Sequence, residues 1–304
     1  MRIVIALGGN ALLKRGEPLD AEVQLANVRR AARALAPAAR VHEVIVTHGN
    51  GPQVGLLALQ SEAYAATRPY PLDVLGAQTQ GMIGYMIEDE LRDALGGARE
   101  LATLLTQVVV DEHDPAFATP SKPVGPVYEE CEARALAREK GWTVGPDGSR
   151  WRRLVPSPDP RRIVEISAIR LLVEAGVIVI CAGGGGVPVV MDASGEQRGA
   201  EAVIDKDLCA ALLASQLEAS GLLMLTDADA VYDGWGTRDA TPIRRATPSA
   251  LRRMTFPPGS MAPKVEAACR FVAAGGGARF AAIGALEDAE AILRGERGTR
   301  IEAD

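Results

Sequence analysis

Apolar residues along this chain fall into short continuous runs rather than strict alternation. Residues 2–7, 43–47, 177–181, 222–225 and 279–283 are such runs, rich in Val and Ile, and each ends in glycine or a polar turn; 107–110 adds another. Strands that are apolar on both sides are buried on both faces, as in a parallel sheet covered by helices. Helical spacing fills the intervals. Residues 20–36 start at an Asp and carry Val23, Leu25, Val28 and Leu35. Residues 77–95 carry Met82, Ile83, Met86, Ile87 and Leu91 on one face, and 207–219 and 263–274 are also helix-like. The alternation predicts an α/β fold with right-handed crossovers.

The pattern breaks between residues 115 and 160, which hold 8 of the 19 prolines. Proline fixes φ and cannot feed a sheet ladder. The segment keeps Trp142, Val144, Trp151 and Leu154, enough for a small core of its own, so it reads as an inserted subdomain or lid and not as a linker. The chain as a whole, 1–304, reads as one domain carrying this insertion. No internal repeat or low-complexity tract is evident.

Composition narrows the classes. Of 304 residues, 47% are hydrophobic and 24% charged, which excludes global disorder. The net charge of −6 argues against nucleic-acid binding. No run of 18 apolar residues exists to span a membrane, and the start, MRIVIALGGNALL, reads as a strand and not as a signal peptide. Cys131, Cys181, Cys209 and Cys269 form no CxxC pair. The last three sit in apolar stretches and read as buried reduced thiols of a cytoplasmic protein. The three histidines, His42, His48 and His113, show no metal-ligand spacing.

Candidate chemistry sits at the strand ends. Ligands of open parallel sheets bind beyond the carboxyl ends of the strands. Glycines there let backbone N–H groups approach an anion while the next helix presents its positive end. Three loops fit: Gly8-Gly9-Asn10, His48-Gly49-Asn50-Gly51 and the four glycines 183–186. Each alone is equally well a plain turn; together they point to a phosphate or anion site. None is a GxxxxGK[ST] loop, and the dinucleotide fingerprint lacks its acidic partner. The cations give a second hint. There are 28 arginines but only five lysines, at 14, 122, 140, 206 and 264. A lysine retained against that bias suits a place needing a compact point charge, such as a phosphate oxygen. Lys206 lies between Asp205 and Asp207 before an alanine-rich helix, and Lys264 follows a flexible Gly-Ser-Met-Ala-Pro segment. A lysine at a helix start opposes the macrodipole and calls for an anion nearby.

These segments carry a resemblance. ALGGNAL (6–12), THGNGPQVG (47–55), TQGMIGY (79–85), PSKPVGP (120–126), RRLVPSPDP (152–160), GGGGVPV (183–189), EAVIDKDL (201–208), LTDADAVY (225–232) and GSMAPKVEAA (259–268) occur in order over nearly the whole chain. The sequence resembles the carbamate kinase branch of the amino acid kinase family. The resemblance implies a three-layer αβα sandwich around a mainly parallel sheet, a protruding subdomain at about 115–160, and a cytoplasmic homodimer. It implies reversible phosphoryl transfer between ATP and carbamate to give ADP and carbamoyl phosphate, used to make ATP in arginine catabolism. Mg²⁺ would ride on the nucleotide phosphates, with no protein ligand.

Residue by residue, Lys206, Lys264 and Lys122 match the family's phosphate-facing lysines, and Asp207 its acidic organiser. Gly8, Gly9, Asn10, Gly49, Asn50 and Gly51 match the loops that hold carbamate and the moving phosphoryl group. Thr226, Asp227, Tyr232, Met261, Pro263 and Lys264, with Lys206, match the nucleotide side. Ala262 and the stretch after Tyr232 depart from the family pattern. His48 is open between a loop role and substrate contact. The competing readings are another small-acid kinase of the same fold and a non-catalytic nucleotide-binding regulator.

Overall fold

The apolar runs assemble into an eight-stranded sheet in a computed structural model. The structure describes residues 1–304 except Arg15, Ala65, Thr67, Ala193 and Pro258, and describes Asn10 by its backbone alone. In chain order the strands are β1 (Arg2–Leu7), β2 (Glu43–His48), β3 (Leu101–Thr103), β4 (Ile178–Ile180), β5 (Gly221–Thr226), β6 (Arg245–Ala246), β7 (Phe280–Ala285) and β8 (Thr299–Ile301). Across the sheet they stand β6-β8-β7-β5-β1-β2-β4-β3. Every pairing is parallel except that of β7 with β8.

The continuous apolar pattern is explained by what lies on each face. Successive residues of β1 enter opposite cores. Val4 and Ala6 pack with α6 (Ile166–Glu174), α7 (Lys206–Gln216) and α8 (Met261–Ala273). Ile3, Ile5 and Leu7 pack with α2 (Ala21–Val41), α4 (Leu72–Leu95) and α9 (Ala289–Leu293). The strand neighbours repeat this division, so two helical layers enclose the sheet, as the αβα expectation requires. No described helix is long and apolar enough to cross a membrane.

Several elements differ from the sequence expectation. Residues 107–110 do not join the central sheet. Gln107–Val109 pairs with Val187–Met191 and Arg162–Ile163 in a separate four-stranded sheet, which is completed by Gln197–Gly199. The helix expected at 20–36 continues through Pro37 to Val41, because Ala38 and Ala39 extend its buried stripe and packing overrides local propensity. The helix expected at 77–95 starts earlier, at Leu72, with Leu72 and Leu75 already buried. The segment after His48 is not only a loop: α3 (Gly51–Ala63) begins inside it, with Pro52 in the first turn, where a missing N–H costs nothing.

The 115–160 segment forms a three-stranded antiparallel sheet, with Arg150–Val155 between Lys122–Tyr128 and Thr143–Asp147, and a helix, α5 (Glu130–Lys140). Its expected private core is not closed. Trp142, Val144, Trp151 and Leu154 are each only partly buried. Trp142 lies between the Lys140 ammonium and the Arg153 guanidinium, 4.8 and 4.9 Å from its ring centre. The sealed contacts instead face the body, where Val124 and Val155 cluster with Val54 of α3 and Leu72 and Leu75 of α4. Lys140 with Glu62, and Arg153 with Glu201, add ion pairs across the same seam.

Candidate active site

The carboxyl ends of β1, β2 and β5 open onto two adjoining cavities of about 480 and 660 Å³. Gly9, Gly259, Ser260 and Lys264 line both, so they meet at the start of α8. The smaller is bounded by Gly8, Thr226, Asp227, Tyr232, Trp235, Phe256 and Met261. The larger takes in Gly49, Asn50, Gly51, Lys122, Asp205, Lys206, Asp207 and Pro263. The residues singled out at positions up to 264 along the chain are thus gathered at one end of the sheet. Of the residues expected on the nucleotide side, Thr226, Asp227, Tyr232 and Met261 line the smaller cavity, Lys206 and Pro263 the larger, and Lys264 both. The side chain of Asn10 lies outside the described residues.

The start of α7 organises the charges. Asp205 is the N-cap: its Oδ1 accepts from the backbone N–H groups of Asp207 and Leu208 at 2.9 and 3.3 Å. Its Oδ2 receives Lys122 Nζ at 2.5 Å, so one carboxylate ties the inserted sheet to the helix start. Asp207, 4% exposed, divides its two oxygens between two lysines. Oδ1 takes Lys206 at 2.5 Å and Oδ2 takes Lys264 at 3.2 Å. Burial works to raise the Asp207 carboxyl, but the two ammonium groups outweigh it and hold the group well below the usual carboxylate range. Burial is also the main influence on Lys206 and lowers it; Asp207 works the other way, and Lys264 adds to the lowering.

The three lysines exceed these two aspartates by one positive charge. The outer wall adds Lys14 and Arg152 against Glu17 and Asp147 and leaves that excess unchanged. In a chain of net charge −6 the larger cavity therefore carries a positive balance. Four of its five lysines line this cleft; the fifth, Lys140, is the one over Trp142.

The third glycine loop departs from the expectation of an anion cradle. A Cβ on Gly183 would stand 2.3 Å from Nε2 of His48, and one on Gly184 would stand 2.2 Å from Nδ2 of Asn50. Of the four glycines only Gly184 reaches the cleft. The first two positions are glycine because β2's exit loop packs onto them, while Gly185 and Gly186 press on Ile204 and Val108 at φ +97° and +86°. Asn50 is fixed from the other side, donating to Thr79 Oγ1 of α4 at 2.8 Å. His48 is 1% exposed, its Nδ1–H donates to the Gly49 carbonyl at 3.0 Å, and it lines neither cavity.

Burial pushes the His48 imidazole down to about 4, against the Gly49 hydrogen bond and with a smaller push from Lys206. Its folded value lies below its unfolded value of about 6.5, so the unfolded chain takes up the proton first. Stability is therefore lost as pH falls from about 6.5 to about 4, by about 3 kcal/mol. Urea denaturation at pH 7, 5.5 and 4.5 should show this loss in the wild type and a smaller one in His48→Gln; equal losses would refute the assignment.

Sequence reasoning missed Asp205 as a tether, Arg152 at the rim, and Trp235 and Phe256 on the smaller cavity. Trp235 stands edge-on to Tyr232 at 5.4 Å, and Tyr232 donates to Asp229 at 2.8 Å. Asp205 carried a signal, an Asp one residue before a helix start. Trp235 and Phe256 lie in irregular stretches that have no periodicity to read.

The amino acid kinase family model matches residues 1–279. The chain belongs to that family. Over its whole length it is 57% identical to the carbamate kinase of Rhizobium meliloti, covering 94% of that protein, and over 99% it is 53% identical to that of Haemophilus influenzae, covering 96%. A carbamate kinase from Giardia lamblia, solved bound to AMP-PNP, superposes with a TM-score of 0.90 at 38% identity, over 100% of this chain and 98% of that one. The chain is accordingly a kinase relative over its whole length, and the three relatives named here are carbamate kinases.

Proposed function

We propose that the protein transfers the γ-phosphoryl group of ATP reversibly to carbamate. The observation that carries this reading is the pair of cavities joined at Lys264. One has aromatic and small apolar walls suited to a nucleoside; the other holds three lysines suited to a phosphoryl group and a small anion. In the forward direction a carbamate oxygen forms the new P–O bond while the bond from the γ-phosphorus to the bridging oxygen breaks, and ADP leaves with that electron pair. Carbamate is already an anion, so no general base is required. Catalysis is then positioning and charge neutralisation. Lys206 and Lys264 stabilise charge on the equatorial oxygens, Asp207 fixes where those ammonium groups stand, and Lys122 approaches from the inserted sheet. Gly8, Gly9, Gly49 and Gly51 keep the strand ends bare enough for close approach.

The carboxylates of the inner cleft, Asp205 and Asp207, are already engaged by lysines. Such a donor set fits Mg²⁺ carried in on the nucleotide phosphates better than a protein-held ion; when bound it would neutralise phosphate charge. The 115–160 segment is proposed to act as a lid that excludes water from a labile product.

The test is ATP formation from ADP, Mg²⁺ and carbamoyl phosphate, set beside acetyl phosphate and a panel of acyl phosphates of amino-acid size. Rapid ATP formation with carbamoyl phosphate and little with the larger donors is expected. ADP binding with no turnover of carbamoyl phosphate would overturn the acceptor assignment.

A further inference from the structure

Lys122 reaches the cleft from a strand outside the body of the fold, so something must fix how close that strand comes. Lys122–Tyr128 pairs regularly with Arg150–Val155 through Val124, and the register then shifts before Tyr128. Gly125 lies in this bulge at φ +75°. A bulge re-aims a strand, and here it presses backbone against α3. A Cβ built on Gly55 would stand 2.3 Å from Cα and 2.7 Å from N of Gly125. Both partners are main chain, so no side chain can turn aside. Helix α3 is the less free to yield. Its first turn shapes the cleft, Val54 is sealed against Leu72 and Leu75 of α4, and Gln53 is held by Gln24 of α2 at 2.9 Å. The strand carrying Lys122 must therefore be the part that moves.

We infer that Gly55 is a positioning residue, whose missing side chain lets the inserted strand cross α3 closely enough to deliver Lys122 to the phosphoryl site. The inference rests on the phosphoryl-transfer reading above. Ordinary contact begins at 3.4 Å, so a methyl group at 55 displaces the strand by about 1 Å. A misplacement of that size costs about a hundredfold in rate.

The experiment uses full-length Gly55→Ala, Lys122→Ala and the double variant. Gly55→Ala should lower kcat for ATP formation about a hundredfold while KM for ADP changes less than about threefold. The double variant should be no slower than Lys122→Ala by more than about threefold, because both remove the same contribution. Hydrogen exchange of residues 122–128 should rise in Gly55→Ala while β1 and α7 keep their protection. Near-wild-type kcat, full additivity, or exchange unchanged at 122–128 would each overturn the inference. Gly125→Ala, whose Cβ meets only Gly55 Cα at 4.0 Å, strains the same crossing without the clash. If Gly55→Ala does not fold, additivity of Gly125→Ala with Lys122→Ala refutes the positioning role and non-additivity upholds it. A wild type that makes no ATP from carbamoyl phosphate would refute the reaction, and the exchange comparison would still decide where the strand sits.

Discussion

Lys206→Ala should slow ATP formation from ADP and carbamoyl phosphate by about 10³-fold while leaving ADP binding within a few fold. The first part follows from geometry. The lysine lies in the opening turn of α7 with its side chain 11% exposed, and Asp207 is its carboxylate partner in the cleft. Losing one preorganised donor at a site of developing charge costs about 10²–10³ in rate, and a buried ammonium belongs at the upper end. The second part follows from separation, because Tyr232, Trp235, Phe256 and Met261 bound a cavity that Lys206 does not line. Lys206→Arg should rescue little. A planar fork spreads its charge over several donors and does not reproduce the compact ammonium that Asp207 holds. Steady-state rates with ADP titration calorimetry check both halves. A Lys206→Ala protein within tenfold of wild type would remove Lys206 from the phosphoryl site.

Asp207→Asn should be inactive in the same assay and clearly less stable. The carboxylate is the shared partner of two lysines whose side chains are 11% and 12% exposed. Removing it leaves two partly desolvated ammonium groups facing each other. Breaking a buried pair by deleting one partner costs about 3–5 kcal/mol. The defect should be repaired from solution. Sulfate or phosphate can take the place of the lost charge, so millimolar anion should raise the melting temperature of Asp207→Asn more than that of the wild type. An anion response no larger than the wild type's would show that the lysines do not depend on Asp207. The acid limb is also fixed in sign. The folded Asp207 carboxyl lies below its unfolded value, so its contribution is present above about pH 4 and is lost as pH falls further. Asp207→Asn should lack that part of the acid dependence.

Much of this was legible because the informative residues are forced by local physics. A strand buried on both faces must be apolar at every position, which exposed β1, β2, β4, β5 and β7 before any coordinates. A lysine kept in an arginine-rich chain, next to a helix start, points to an anion, and Lys122, Lys206 and Lys264 do converge. What stayed hidden depends on contacts distant in sequence. Nothing near residue 183 says that its glycine makes room for an imidazole 135 positions earlier, so that loop reads as an anion cradle. Gln107–Val109 has the apolar run of a central strand, and only its partners assign it elsewhere. The helix α3 was masked because its opening glycine and proline look like turn punctuation. Trp142 and Trp151 suggested a private core, although flanking arginines and a lysine cover them instead and the segment's part of the sealed seam is Val124 and Val155.

The packing of the four-glycine turn onto the exit of β2 carries a consequence for how this sequence can diverge. Position 183 cannot accept even a methyl group while position 48 is histidine, and position 184 is closed twice over, by the amide at 50 and by its own φ of +67°. The pair 48 and 183 is open to exchange only together: a smaller residue at 48 is what would license alanine at 183. Two stretches more than a hundred residues apart are thus sterically coupled, and a chimaera that brings a side chain to 183 must bring a smaller residue to 48 as well.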